Sequence, residues 1–167
     1  MASKRIGGSV AAQIKQLDQQ VKQGATNGLR DIGADWRRYY LLVVAQWKGK
    51  PRFDLRISTL QDRIQLYVMP AGEFAQRWVW VDQGTEPHII RPKLPGGKLK
   101  FQAGYSAKTK AVAQYNVGDG KSFGQWVSTQ VVHHPGTKPR EFGEAAARRV
   151  MPIVMPVLIK AIRQAVE

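Results

Sequence analysis

The chain has 167 residues, with 26 Lys and Arg against 12 Asp and Glu, which gives a formal net charge of +14. A hydrophobic fraction of 43% and a charged fraction of 23% are typical of a folded chain and exclude a disordered basic tail. The absence of cysteine excludes disulfide frameworks, thiolate zinc sites and cysteine nucleophiles. We predict a single domain over 1–167, with a flexible N-terminus at 1–8 and a long loop insertion at 102–125.

A long N-terminal helix is predicted from about residue 10 to residue 47. Its apolar residues recur at three-and-four spacing and are Val10, Ile14, Leu17, Val21, Ala25, Leu29, Ile32, Trp36, Tyr39 and Val43. Ser9 suits the N-cap, and Gly49 followed by Pro51 supplies a stop. At 1.5 Å per residue the helix would be about 55 Å long, which exceeds what one globule of this size needs. We therefore expect part of its apolar stripe, including Leu17 and Val21, to meet another subunit.

Two features of this helix leave alternatives open. Gly24, Gly28 and Gly33 predict either a kink or break near 24–28 or close packing against another element. An aromatic group follows toward the C-terminal end, made of Trp36, Tyr39, Tyr40 and Trp47. These rings could stack on nucleic-acid bases, but aromatic side chains at helical spacing are usually core residues. We interpret them as core.

Strands are predicted next. Alternating apolar residues over 53–58 and 63–68 indicate a hairpin, and the stretch 73–81 favours a short helix that runs into a turn at Gly84. His88–Lys93 and Lys98–Phe101 are expected to form two strands around Pro95-Gly96-Gly97, as a projecting basic hairpin. Gln102 to Gly124 has no periodicity and is predicted to be a long loop, and Trp126 to His133 to be a last strand.

A C-terminal helix is predicted from just after Pro139 to about Val166, with Thr137 as a candidate cap. Pro152 and Pro156 each remove a backbone donor, so we expect a kink or two helical pieces. The predicted fold class is therefore α+β. It combines a long N-terminal helix, a small antiparallel sheet with a projecting basic hairpin, and a kinked C-terminal helix.

The most positive stretch of the chain lies between Glu86 and Asp119, where no acidic residue occurs. Four of its cations form the predicted basic contact arm: Arg91, Lys93, Lys98 and Lys100. One interpretation is a solvated surface. The other is an electrostatic contact with a phosphate backbone or with an acidic partner ring.

Catalysis is not expected from the sequence. His88, His133 and His134 are the only imidazoles, and they lack the spacing of a helical zinc site. The Asp119-Gly120-Lys121 segment has no second carboxylate placed near it, so two-metal chemistry has no visible ligands. We predict no catalytic residue, no cofactor and no metal.

Neither a secretory signal nor a membrane span is predicted. The basic residues near the N-terminus are not followed by the apolar stretch that a signal peptide requires. The longest apolar runs, Tyr39–Trp47 and Met151–Ile159, are far shorter than the roughly 20 residues that span a bilayer. We therefore expect no membrane partner.

Two motifs share the pattern Gly-Thr-x-Pro, and we interpret them as two turns that each lead into a secondary-structure element. The first is Gly84-Thr85-x-Pro87-His88-x-Ile90-x-Pro92-Lys93, and the second is His134-Pro135-Gly136-Thr137-Lys138-Pro139-Arg140-x-Phe142, with Leu99-Lys100-Phe101 between them. Together they resemble the neck and tail-completion proteins of long-tailed bacteriophages. The resemblance covers roughly residues 50–150, and it departs in the segment 102–124 and in the proline-bearing C-terminal helix.

The resemblance implies a non-enzymatic virion protein, assembled in the host cytoplasm, that forms a homo-oligomeric ring of six or twelve subunits at the head-to-tail junction. The implied partners are other neck, connector or tail-terminator proteins, with non-specific contact to DNA in the exit channel. Tyr105, Tyr115 and Phe123 are the expected anchors of the long loop on a neighbour. The alternative is a stand-alone basic nucleic-acid-binding protein, although helix-turn-helix, zinc-finger and RNA-recognition signatures are missing.

Overall fold

The computed structural model describes residues 9–60, 63–104 and 121–167. Its helices are α1 (Val10–Val43), α2 (Ala75–Gln83) and α3 (Phe142–Val166). Its strands are β1 (Arg52–Thr59), β2 (Ile64–Ala71), β3 (His88–Ile90), β4 (Leu99–Gln102), β5 (Trp126–Thr129) and β6 (Val132–His134). The predicted α+β class is confirmed. Among the described residues, no helix is both long enough and apolar enough to cross a membrane.

The chain divides into two compact units. Unit 1 comprises Met1–Arg37, Leu55–Val68 and Val150–Glu167, and unit 2 comprises Arg38–Asp54 and Met69–Arg149. The predicted flexible N-terminus at 1–8 and most of the predicted loop, 105–120, lie outside the described residues. A single domain over 1–167 stays a prediction.

In unit 1, glycines bring α1 close to α3. A Cβ added to Gly24 would lie 2.7 Å from the Ile162 Cα, and one added to Gly28 would lie 3.0 Å from the Leu158 Cδ2. Because the contacts run backward along α3 as α1 advances, these helix segments are antiparallel. The chain remains helical through 24–28, so a break there is wrong and close packing accounts for the glycines.

The predicted start of α1 is confirmed, whereas its end comes earlier than expected. The Ala12 amide donates to the Ser9 Oγ at 3.3 Å, so Ser9 caps the helix. The helix ends at Val43, and a turn follows in which the Trp47 amide donates to the Val44 carbonyl at 2.9 Å. Gly49 has a φ of +74°, the left-handed conformation that glycine tolerates.

Strands β1 and β2 form the predicted hairpin. They pair as a two-stranded sheet, and the Leu60 amide donates to the Arg63 carbonyl at 2.8 Å. A connection this short joins only antiparallel neighbours, since parallel strands need a crossover of a dozen or more residues.

The core of unit 2 is a cluster of aromatic rings. Trp78 lies at its centre, with ring centroids 4.5 Å from Tyr40, 4.8 Å from Phe53 and 5.3 Å from Phe142. Trp47 packs 6.1 Å from Trp78, and all of these rings are buried. Tilted and edge-on pairs at such distances add about 0.5 to 1.5 kcal/mol each beyond simple burial. Tyr39 is buried as well, so the interpretation of Tyr39, Tyr40 and Trp47 as core is confirmed, whereas Trp36 is only half-buried.

The start of α3 is held by the end of α2. The Gly143 amide donates to the Asp82 Oδ1 at 3.0 Å, and the Glu141 amide donates to the Asp82 carbonyl at 3.0 Å. Asp82 therefore satisfies a donor that a helix start leaves open, and the expectation that Thr137 caps this helix is wrong.

The C-terminal helix does not split at its prolines. The helical assignment runs without a break from Phe142 to Val166, through Pro152 and Pro156. The alternative of two helical pieces is therefore wrong, and the kink itself stays a prediction. The buried residues of this helix, Phe142, Ala145, Ala146 and Val150, all precede the two prolines.

The predicted basic hairpin is paired differently from the expectation. Strands β3 and β4 do not pair with each other, because β3 pairs with β6 and β4 pairs with β5, both antiparallel. His88 lies opposite His134, Leu99 lies opposite Thr129, and residues 91–98 leave the ladder between these two sets of pairs. The two short sheets follow one another along the same two stretches of chain, which we together call the ribbon, and residues 91–98 form an excursion between them. The ladder continues into the predicted loop, since the Gly124 amide donates to the Ala103 carbonyl at 2.9 Å.

Candidate functional site

At the base of the ribbon, the two Gly-Thr-x-Pro motifs pair with each other. Thr85 and Thr137 face each other in an isolated antiparallel bridge, with backbone hydrogen bonds of 3.0 and 3.1 Å in the two directions. Their hydroxyl oxygens lie 2.9 Å apart, and the Thr137 amide also lies 3.0 Å from the Thr85 Oγ1. The two motifs that are similar in sequence are therefore paired in the structure, in a nearly two-fold arrangement around Thr85 and Thr137.

The glycine before each threonine is required by this pairing. Gly84 has a φ of +80° and Gly136 a φ of +83°. A Cβ on Gly84 would collide with the Thr137 carbonyl oxygen, and a Cβ on Gly136 would collide with the Thr85 carbonyl oxygen. Only glycine combines the left-handed backbone with such a close approach of the opposite strand. The motifs position the first residues of β3 and the last of β6.

The histidines of the two motifs lie next to this bridge. His88 and His134 are opposite each other in the ladder, and their rings stack with centroids 4.9 Å apart. The Gly136 amide donates to the His134 Nδ1 at 3.0 Å, and the His88 Nδ1 lies 2.8 Å from the Glu86 carbonyl oxygen. Both rings therefore bond backbone at turns. Within the parts of the chain that the structure describes, no group of three or more potential metal ligands comes together.

The basic contact arm is exposed, but it is not one hairpin. Arg91, Lys93 and Lys98 lie in the excursion, whereas Lys100 lies on β4 opposite Ser128. All four side chains are exposed to solvent. The arm thus offers four cations with no acidic residue between them in the sequence, a pattern that suits an anionic partner.

Two adjoining apolar pockets lie at the base of the ribbon. The first, of about 310 Å³, is lined by Trp80, Val81 and the Thr85–Thr137 bridge, with the cations Arg77, Lys138 and Arg140 around it. The second, of about 440 Å³, shares Trp80 and Thr85 with the first and reaches His88. Glu86 is the acidic residue that lines the second pocket.

A third pocket, of about 330 Å³, follows on the ribbon itself. Ile90, Leu99, Phe101, Val132 and His134 line it, together with Lys100. The first two pockets share Trp80 and Thr85, and the second and third are linked by the stacked rings of His88 and His134. We call these three linked pockets the groove.

Arg77 is held in place at the groove. Its guanidinium donates to the carbonyls of Lys48 and Gly49 and lies 5.0 Å from the centre of the Phe74 ring, a cation–π distance. The groove was not predicted from the sequence. The signal in the sequence was the spacing of Trp78 and Trp80, which places two large rings on different faces of a short helix. In the structure Trp78 is 3% exposed and Trp80 is 53% exposed.

The remaining predicted site residues lie elsewhere. Leu17 and Val21 belong to an exposed apolar stripe at the start of α1, which also includes Val10 and Ile14 and ranges from 71% exposed at Val10 to 36% at Val21. Phe123 is exposed beside the end of the ribbon, whereas Tyr105 and Tyr115 lie outside the described residues. The stripe belongs to unit 1, whereas Phe123 and both motifs belong to unit 2.

No protein-family model, curated protein or solved structure matches this chain.

Proposed function

We propose that this chain is a non-enzymatic structural protein of a virion, and that copies of it form a ring at the head-to-tail junction of a long-tailed bacteriophage. The support from sequence is the pair of motifs that resemble neck and tail-completion proteins. The observation that carries the self-assembly is the exposed stripe of α1.

The stripe lies on a part of α1 that extends past α3. A Cβ on Gly24 would already lie 3.0 Å from Ala165, and α3 ends one residue later, at Val166. The stripe from Val10 to Val21 is about 17 Å long at 1.5 Å per residue. Burying each such side chain contributes about 1.5 to 3 kcal/mol relative to leaving it in water.

A second copy is the occupant that the proposal names for this stripe. A patch that meets a different patch on the next copy gives a heterologous contact, and such contacts close into a ring when the rotation allows it. Assembly would therefore not depend on nucleic acid.

The test is the mass of the purified protein by native mass spectrometry, for the wild type and the double variant Leu17→Glu/Val21→Glu. We expect a closed oligomer for the wild type and monomer for the variant, with unchanged circular dichroism. The matched control is Gln16→Glu/Gln19→Glu, which adds the same charge on the opposite face of the exposed helix and should leave the mass unchanged. A wild-type chain that stays monomeric at every concentration contradicts the proposal.

The second candidate is a stand-alone nucleic-acid-binding protein, and the four exposed cations of the basic contact arm favour it. The same mass measurement separates the two candidates when duplex DNA is added. A monomer that associates only on DNA favours nucleic-acid binding, whereas an oligomer of the same mass with and without DNA favours the ring.

A further inference from the structure

The groove has the character of a surface that another molecule covers. Its floor is formed by Trp80 at one end and by Ile90 and Phe101 at the other, and all three side chains are exposed. Two-stranded sheets are marginal in water when nothing packs on them. Contiguous apolar surface rimmed by polar groups marks an interaction site.

The backbone beside the groove is also open to a partner. Within the described residues the β3–β6 and β4–β5 sheets have two strands each, so each strand has one edge without a neighbouring strand. Such edges accept an additional extended segment through main-chain hydrogen bonds, while pockets for side chains provide selectivity. The shape therefore favours an extended chain as occupant.

The charge of the groove is strongly one-sided. Arg77, Lys138, Arg140 and Lys100 line it against the single carboxylate of Glu86, a net charge of +3. Cations around an apolar floor are complementary to a segment that alternates carboxylates with apolar side chains.

A second copy of this chain is a poor source of such a segment. Its 12 acidic residues are dispersed, and the closest two, Glu141 and Glu144, are three positions apart near the start of α3. DNA is also a poor match for the groove. Proteins bind DNA phosphates through cations and polar donors, so bound DNA would leave the apolar floor formed by Trp80 and Ile90 without a hydrophobic partner.

We infer that the groove binds an extended acidic segment of a different protein, with apolar side chains of that segment against Trp80, Ile90 and Phe101. Its carboxylates would lie toward Arg140 and Lys138 at one end and Lys100 at the other. The inference rests on the proposed function, because the protein that supplies the acidic segment would be a neighbouring component of the same head-to-tail junction.

The test selects peptides from a random-sequence display library on the full-length protein, with Trp80→Ala as the counter-selection. We expect the enriched peptides to combine several Asp or Glu with aromatic or aliphatic residues. Their affinity, measured by titration calorimetry, should fall at least about tenfold in Trp80→Ala and in Lys138→Gln/Arg140→Gln. The control Arg149→Gln/Arg163→Gln removes the same charge from exposed positions of α3 and should bind like the wild type.

Short duplex DNA is the competing ligand in the same assay. Enrichment of neutral or basic peptides, or equal affinity of the wild type and Trp80→Ala, overturns the inference. Loss of DNA binding in Trp80→Ala without any selected acidic peptide would assign the groove to nucleic acid instead. Native mass spectrometry of each variant is recorded alongside, so failure of peptide binding in a normal oligomer is distinct from failure of the ring proposal.

Discussion

The aromatic core of unit 2 and the groove use the same kinds of side chain for opposite purposes. Trp78 is 3% exposed and packs against four other rings, whereas Trp80, two residues along the same helix, is 53% exposed in the groove. Two positions along a helix correspond to a rotation of about 200° around its axis, so these two side chains lie on nearly opposite faces. Helix α2 therefore joins the core and the groove through its two faces, and substitutions on each face should separate folding from binding.

The largest expected effect is on the core side of this comparison. Trp78→Ala should destabilise the protein by about 3 to 5 kcal/mol, because it removes a buried ring and leaves a cavity among Tyr40, Phe53 and Phe142. Trp80→Ala is the matched control, and it should cost less than about 1 kcal/mol because its ring is half in water. Urea unfolding followed by circular dichroism measures both. Equal losses would mean that Trp80 also belongs to the core.

The next effect tests whether the glycines of the ribbon base are required for folding. Gly136→Ala should cost about 2 kcal/mol or more, because it combines a left-handed backbone with a collision against the Thr85 carbonyl. Gly96→Ala is the control, since Gly96 also has a positive φ, of +72°, but nothing lies within 4 Å of its added Cβ. A thermal melt of each variant gives the difference. A loss at Gly96→Ala as large as that at Gly136→Ala would assign the whole effect to backbone strain.

Local signals in the sequence were sufficient for most of the elements. The three-and-four spacing of α1, the alternation in β1 and β2, and the Ser9 cap each depend on residues close in the chain, so they could be predicted without a partner. The same holds for the aromatic core residues of α1. Gly24 illustrates the limit, because its close packing depends on the position of α3, which residues near it in the chain do not specify.

The pairing of the ribbon could not be predicted, since it depends on contacts between distant parts of the chain. Pro95-Gly96-Gly97 is a good local turn, yet β3 and β4 each pair with a strand more than 20 residues away. The Thr85–Thr137 bridge joins residues 52 positions apart. The groove was missed for the same reason, because Arg77 is about 60 positions away from Lys138 and Arg140 in the chain.

A smaller effect is expected at the contact between α2 and α3. Asp82→Ala should cost about 1 kcal/mol, because the Gly143 amide loses its carboxylate acceptor at the start of α3. Asp82→Asn keeps an oxygen acceptor and should lose less. Chemical denaturation compares the two variants. A larger loss for Asp82→Asn than for Asp82→Ala would show that the side-chain oxygen is not what holds the helix start.

The smallest effect on stability is expected at the basic contact arm, because its four charged side chains are exposed and none belongs to the aromatic core. Replacing Arg91, Lys93, Lys98 and Lys100 with Gln should change the unfolding free energy by less than about 1 kcal/mol, since isolated exposed charges contribute little to folding. If the arm binds an anionic partner, affinity for duplex DNA or heparin should fall, and the slope of log affinity against log salt should decrease by up to about 0.9 for each duplex phosphate that the variant no longer neutralises. The control replaces Lys50, Arg149, Lys160 and Arg163, which removes the same charge from exposed positions elsewhere, and should keep the slope. Equal slopes for the two quadruple variants would show that net charge alone, and not the excursion from the ribbon, attracts polyanions.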